Sequence, residues 1–321
     1  MKKFIFLLVF FSGFLVAKDL EQIYLQNGAN AVIEELEKNL QTKEYWDKFL
    51  SNKDLRYGYY DGEIFITVVD KTAKRLDLHF YSDGNLTDKF SQSIITGLMG
   101  DKEKQGDLKT PVGVYDITRR FDPGDPYYGP VAFSLSYPNL YDKLRDKTGN
   151  GIWIHGFPKD GEDRIDENRT RGCVVLKNDY LLEYESIVKD SGSVVLINED
   201  GKVVANNQDI AIILSQIFAW KKAWDKSDIN AYLDFYDDSF RRFDGMRIKE
   251  FSAMKRNIFS KQEEKTIKFS NFEITPYPSQ QKQRFRVKFT ENYATKSYKF
   301  DGVKTLIVKL ENQKMKILAE R

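Results

Sequence analysis

The chain has 321 residues, a net charge of +2, 31% charged and 41% hydrophobic residues, one cysteine and two histidines. Near-balanced charge gives no basis for a nucleic-acid or polybasic membrane partner. A single cysteine excludes an intramolecular disulfide, and so few His and Cys exclude a zinc site of the usual His/Cys kind.

Two lysines open the chain and precede an apolar run from Phe4 to Ala17, after which the sequence turns polar. These are the charged and apolar regions of a secretory signal. The run is shorter than the roughly 20 residues of a membrane-spanning helix. Residues 1–17 are therefore read as a signal peptide cut after Ala17. The alternative is an uncleaved inner-membrane anchor, because Leu15 is large for its place before the cut. Both readings put the rest of the chain outside the cytoplasm, where an unpaired thiol is either buried or used.

Residues 18–56 form a helical N-terminal segment. Val32, Leu36, Leu40, Tyr45 and Phe49 recur at helical spacing and predict two short helices broken near Thr42–Lys43. The segment is too small to fold alone. It packs on the next domain or on a second copy of itself, which makes a homodimer through these helices one expectation.

Residues 57–205 change to strand texture. "EIFITVVD" and "RLDLHFY" alternate about "KTAK" and predict a hairpin. "SQSIITG", "GVYDITRRF", "VAFSLSY", "GIWIHGF" and "GSVVLINEDGKVV" follow, the last with a tight-turn signal in "EDGK". One helix is expected in "NDYLLEYESIVKD". From 206 to 321 the pattern becomes three amphipathic helices, "QDIAIILSQIFAWKKAWDKSD", "INAYLDFYDDSF" and "RIKEFSAMKRNIFSK", and then four strands. That order predicts a multidomain α+β chain with a domain boundary at Asn206–Gln208.

Acyl transfer by cysteine needs a thiol, a base that can return the proton, and amide donors for an oxyanion. "TRGC" at Thr170–Cys173 and "IWIHG" ending at His155-Gly156 supply such groups. Gly172 lets the backbone take an unusual dihedral. A helix starting just after Cys173 would lower the thiol pKa through its dipole, with Arg171 adding positive charge. Against this stands the plain alternative of a buried structural thiol. His79 lies within an alternating strand and is read as structural. The acid-rich loop 159–169, "KDGEDRIDENR", lacks an EF-hand arrangement and is read as a solvated lid. No G-x-S-x-G or S-x-x-K element supports a serine enzyme.

His155-Gly156, a variable loop, then "TRGCVVL", with Thr110-Pro111 and Gly113 upstream in "GDLKTPVGVYDI", resemble the L,D-transpeptidase catalytic domain of YkuD type. In that family a histidine commonly stands where this chain has Arg171. The departure touches any role of that side chain but not the nucleophile. With its short helical N-terminus and a C-terminal part like nuclear transport factor 2, the chain is similar to the helical-cell-shape peptidoglycan L,D-carboxypeptidases. The resemblance implies a β-rich catalytic domain followed by an NTF2-like cone domain.

It further implies that Cys173 attacks the L-centre carbonyl of the third residue of a peptidoglycan stem peptide. His155 would move the proton to the departing D-alanine, and the Gly156 carbonyl would orient the imidazole. Amides of Gly172 and Cys173 would meet the oxyanion, beside Thr170. Arg171 would contact a substrate carboxylate, unless it only pairs with a local acid. No cofactor or metal is implied, and the compartment is the periplasm. The alternatives are an L,D-transpeptidase making 3–3 crosslinks, when an amine replaces water, and a non-catalytic wall-binding protein. The aromatic-rich C-terminal helices are read as core, and that domain as a binding or scaffolding module.

Overall fold

The computed structural model describes residues 20–158, 170–189, 192–278 and 283–321. The signal sequence and the acid-rich loop 159–169 lie outside the described residues.

Three N-terminal helices occur where the spacing predicts two: α1 (Leu20–Asn27), α2 (Ala29–Leu40) and α3 (Lys43–Leu50). The extra break falls at Gly28, whose φ of +81° suits glycine and interrupts the helix. The break at Thr42 is an N-cap, its hydroxyl accepting from the Tyr45 N–H. Helix α3 buries Trp46 and Leu50, and Trp46 stacks on Phe218 of the C-terminal part at 5.8 Å.

The catalytic-type sheet is built from β2 (Ile64–Asp70), β3 (Arg75–Ser82), β4 (Asn85–Ser93), β5 (Gly113–Phe121), β6 (Ala132–Leu135), β7 (Trp153–His155), β8 (Val174–Val175) and β9 (Ser193–Asn198). Their spatial order is β4-β3-β2-β9-β5-β6-β7-β8. Strand β9 inserts between β2 and β5, and its apolar run is buried, as a central strand requires. The expected second strand in "GKVV" is absent. The Val203 N–H is taken by Asn198 Oδ1, and the chain then leads into a helix. Two short helices, α4 (Leu140–Leu144) and α5 (Asn178–Val188), complete this part.

The C-terminal part contains α6 (Asn207–Asp225), α7 (Ile229–Asp234), β10 (Tyr236–Arg242), α8 (Ile248–Phe259), β11 (Thr266–Pro276), β12 (Arg284–Ala294), β13 (Lys299–Glu311) and β14 (Lys314–Glu320). The helical reading of "INAYLDFYDDSF" is corrected in its second half, which is strand β10, parallel to β14. Asp237, Asp238 and Ser239 favour non-helical backbone, while Tyr236 and Phe240 enter the core. The sheet order is β1-β11-β12-β13-β14-β10, where β1 is Tyr59–Tyr60.

The two parts are joined intimately. Strand β1 lies before the catalytic sheet in sequence yet pairs with β11 of the C-terminal sheet. Arg286, buried on β12, donates from Nη1 to Asp116 Oδ1 on β5 at 2.9 Å. One apolar core runs from Val114 and Leu196 through Ile210 and Ile213 to Val287 and Ile317.

Candidate active site

Strands β7 and β8 are parallel neighbours, with Ile154 opposite Val174 and His155 opposite Val175. Side chains alternate between the two faces of a sheet. Ile154 and Val174 therefore share the inner face and belong to the hydrophobic core. His155 and, one step before the strand, Cys173 share the opposite face. Both line a cavity of about 680 Å³, together with Lys102, Tyr128, Trp153 and Arg171. Strand pairing thus brings together the two groups that the sequence separates by a loop.

His155 ends β7 and is buried, at 3% exposure. Its Nδ1 lies 2.8 Å from the Gly156 carbonyl, an acceptor, so Nδ1 carries the proton and Nε2 is left as a base. The Gly156 N–H donates to the Tyr128 carbonyl at 3.0 Å. The Tyr128 ring stands edge-on to the imidazole, with centroids 5.1 Å apart and planes at 83°. Burial lowers the His155 pKa to about 4, and the Gly156 hydrogen bond only partly opposes this.

Cys173 is partly exposed at the cavity floor, and its Sγ donates to the Gly151 carbonyl at 3.5 Å. Burial pushes the thiol up to about 11, against smaller pulls from the Trp153 N–H and the Lys102 charge. The sequence-based expectation of a dipole-lowered thiol is corrected here. Residues 174–175 form a strand and α5 begins only at Asn178, so no helix N-terminus follows the sulfur directly. The resting site is a neutral thiol beside a neutral imidazole.

Thr170 organises the turn before the cysteine. Its Oγ1 accepts from the Gly172 N–H at 3.0 Å and donates to the Cys173 carbonyl at 2.7 Å. The Gly172 amide is thus engaged, while the Cys173 N–H has no partner among the described residues. Gly172 has φ of +123°, and a Cβ there would stand 2.8 Å from the Lys109 carbonyl. This places the Thr110-Pro111 element directly behind the cysteine turn. Arg171 is exposed at the cavity wall.

Three residues near the site carried no local signal in the sequence. Tyr128 closes a short 3₁₀ turn, Pro126–Tyr128. Lys102 is buried, and its Nζ bonds Asp107 Oδ1 at 2.7 Å. Asn178 opens α5 behind Gly156. His79, by contrast, lies on β3 away from this cavity, where its Nδ1 meets Asp88 at 2.7 Å and its ring meets Tyr57 at 4.8 Å. A second cavity, of about 500 Å³, opens in the C-terminal part. There the Lys255 ammonium sits 4.9 Å from the Trp224 ring centre, and burial lowers its pKa to about 8.

Comparison with known proteins matches residues 65–197 to the L,D-transpeptidase catalytic domain and residues 212–321 to the Cds6 C-terminal NTF2-like domain. The crystal structure of the helical cell shape determining protein Pgp2 from Campylobacter jejuni is similar with a TM-score of 0.83 and 48% identity, over 88% of this chain and 99% of that one. A point mutant of Pgp2 gives a TM-score of 0.85 over the same shares. Bd1075 of Bdellovibrio bacteriovorus is similar at 28% identity and a TM-score of 0.65, over 83% of this chain and 95% of that one. YafK of Escherichia coli (strain K12), which carries the L,D-transpeptidase name, is 33% identical over 89 residues, 27% of this chain. That match spans only 35% of the length of YafK.

Proposed function

The chain belongs to the L,D-transpeptidase catalytic-domain family, with an NTF2-like domain at its C-terminal side, and on that ground we propose that it is a periplasmic peptidoglycan L,D-carboxypeptidase that affects cell shape. It trims tetrapeptide stems to tripeptides. The observation that carries the reading is the shared face of Cys173 and His155, with the Gly156 carbonyl on the imidazole Nδ1.

That geometry supports the following step. The Cys173 Sγ–H proton passes to His155 Nε2 as sulfur bonds the carbonyl carbon of the L-centre. The oxyanion is met by the Cys173 N–H, and by the Gly172 N–H once it is released from Thr170 Oγ1. The C–N bond to D-alanine then breaks, and His155 returns the proton to the leaving nitrogen. Water adds to the thioester, again losing a proton to His155, and the tripeptide leaves with the thiol restored. Arg171 at the cavity wall suits the terminal carboxylate of the stem. The N-terminal helices, with Leu25 81% exposed, are in keeping with a homodimer contact.

An L,D-transpeptidase that makes 3–3 crosslinks is the second reading, favoured by the YafK likeness. It requires a second groove that lets an amine outcompete water. Incubation of the purified protein with tetrapeptide muropeptides and mass analysis of the products tests both readings. Tripeptide and free D-alanine are expected. Dominant crosslinked dimers would replace the carboxypeptidase reading with the transpeptidase one, and unchanged substrate would leave a wall-binding protein.

A further inference from the structure

One buried polar group beside the site has no part in the steps above. The Asn178 Oδ1 is buried and has no hydrogen-bond partner among the described residues. Buried polar atoms are nearly always paired, so an orphan of this kind calls for a reason. Its position supplies one. A Cβ built on Gly156 would stand 2.2 Å from this oxygen, and one built on Gly129 would stand 2.7 Å from it. In a glycine that direction holds a hydrogen, so the oxygen faces a Cα–H of each residue. Such Cα–H···O contacts are individually weak but directional. They also choose the orientation of the amide, since the reversed carboxamide would aim N–H groups at the same hydrogens.

The two glycines belong to loops that cross behind the imidazole. A Cβ on Gly129 would lie 2.8 Å from the Gly156 Cα, so the backbones touch. Gly156 is tied twice more, its N–H to the Tyr128 carbonyl and its carbonyl to His155 Nδ1. Asn178 fills the remaining side of this peptide. We infer that Asn178 is a positioning residue for the base: its carboxamide oxygen seats the Gly156 backbone so that the carbonyl stays on His155 Nδ1 and Nε2 stays free for the Cys173 proton. This rests on the role proposed for His155, but it can be tested without any substrate.

The charged and titratable groups that line the cavity with His155 are Cys173, Tyr127, Tyr128, Lys102 and Arg171, and no carboxylate lines it among the described residues. Changing Asn178 to Asp keeps an oxygen in place and introduces a carboxylate near the ring, whereas Ala removes the seat. With only two histidines in the chain, the full protein labelled with ¹⁵N-histidine gives two ring systems, told apart by His79→Gln. NMR then reads the tautomer and titration of His155 directly. Wild type should hold the Nδ1–H tautomer. Asn178→Asp should raise the His155 titration by about one unit. Asn178→Ala should mix the tautomers, lower the titration, and reduce kcat by on the order of tenfold with KM within about twofold. If Ala does not fold, Asn178→Ser, which also loses the reach to Gly156, is read in the same way. Folded variants that keep the wild-type tautomer and titration would overturn the inference. NMR changes as expected in a protein that releases no D-alanine would leave the inference standing and sink the carboxypeptidase reading instead.

Discussion

Gly172→Ala tests the link between backbone and nucleophile. The residue has φ of +123°, a region that L-residues occupy at a cost of about 1–3 kcal/mol. The added Cβ would stand 2.8 Å from the Lys109 carbonyl oxygen and 3.1 Å from Ile152 Cδ1. Ordinary carbon–oxygen contact needs about 3.3 Å or more, so one side must move by roughly half an ångström. The Lys109 side is held. Buried Lys71 donates to the Thr110 carbonyl at 3.0 Å and to the Gly100 carbonyl at 2.7 Å, and Thr110 Oγ1 accepts from the Gly97 N–H at 2.8 Å. The cysteine turn therefore gives way, and Cys173 leaves its place relative to His155. The expected result is a loss of about 2–4 kcal/mol in urea unfolding, with kcat for D-alanine release down by about 10- to 100-fold. An alanine variant within about 0.5 kcal/mol of wild type and with an unchanged rate would refute the argument.

Cys173→Ala removes only a thiol, so release of D-alanine should fall on the order of 10³-fold or more while the melting temperature stays close to wild type; near-normal turnover would dismiss the nucleophile. Because burial lowers His155 to about 4, the base is neutral above that pH, and kcat/KM should decline only as pH drops through about 4. His155→Ala should remove that acid limb together with most of the rate, and an unchanged profile would show that another group is the base. The same shift bears on stability. The unfolded imidazole titrates near 6.5, so between about pH 6.5 and 4 the unfolded chain binds the extra proton and the fold weakens as pH falls. His155→Gln should flatten this slope by up to about 3 kcal/mol across that window, leaving the same-signed part from His79, whose pKa burial also lowers. Iodoacetamide should modify Cys173 more slowly at pH 7 than it does free cysteine, with a rate that climbs toward a thiol pKa of about 11; fast alkylation at neutral pH would show a thiolate already formed.

How much of this was legible in sequence depended on the range of the interaction. The strand endings at His155 and the turn at Gly172 are local, and period-two alternation already places Trp153 and His155 on one face. That β8 lies parallel to β7, and so delivers Cys173 to that face, is a long-range pairing without a local signature. Tyr128 and Lys102 reach the cavity through loops whose paths depend on tertiary contacts, such as the bond from the Gly156 N–H to the Tyr128 carbonyl. The same limit explains the misread half-helix at Tyr236–Arg242. Its aromatics fit a helical spacing as well as a strand, and the pairing with β14 decides between them. Gly28 was legible in kind, as a helix breaker, but a single glycine is also tolerated inside a helix, so its presence alone does not fix a break.

The raised thiol answers a question posed by composition. A lone cysteine is either buried away from oxidants or used, because oxidation selects accessible thiolates. Cys173 is both. It opens onto the cavity, yet burial holds the sulfur protonated and the Gly151 carbonyl accepts its hydrogen. Burial likewise keeps His155 neutral, so no imidazolium is present to stabilise a thiolate in the resting state. In the proposed mechanism the thiolate would arise only as the sulfur meets an electrophilic carbonyl, when the Cys173 N–H and the Gly156-held imidazole share the developing charges. On this argument the elevated pKa is compatible with catalysis, because the site lowers the energy of the charge-separated state only with substrate in place. Under the proposed mechanism the cost is a slower nucleophile at rest, and the gain is a thiol that resists oxidation without a partner.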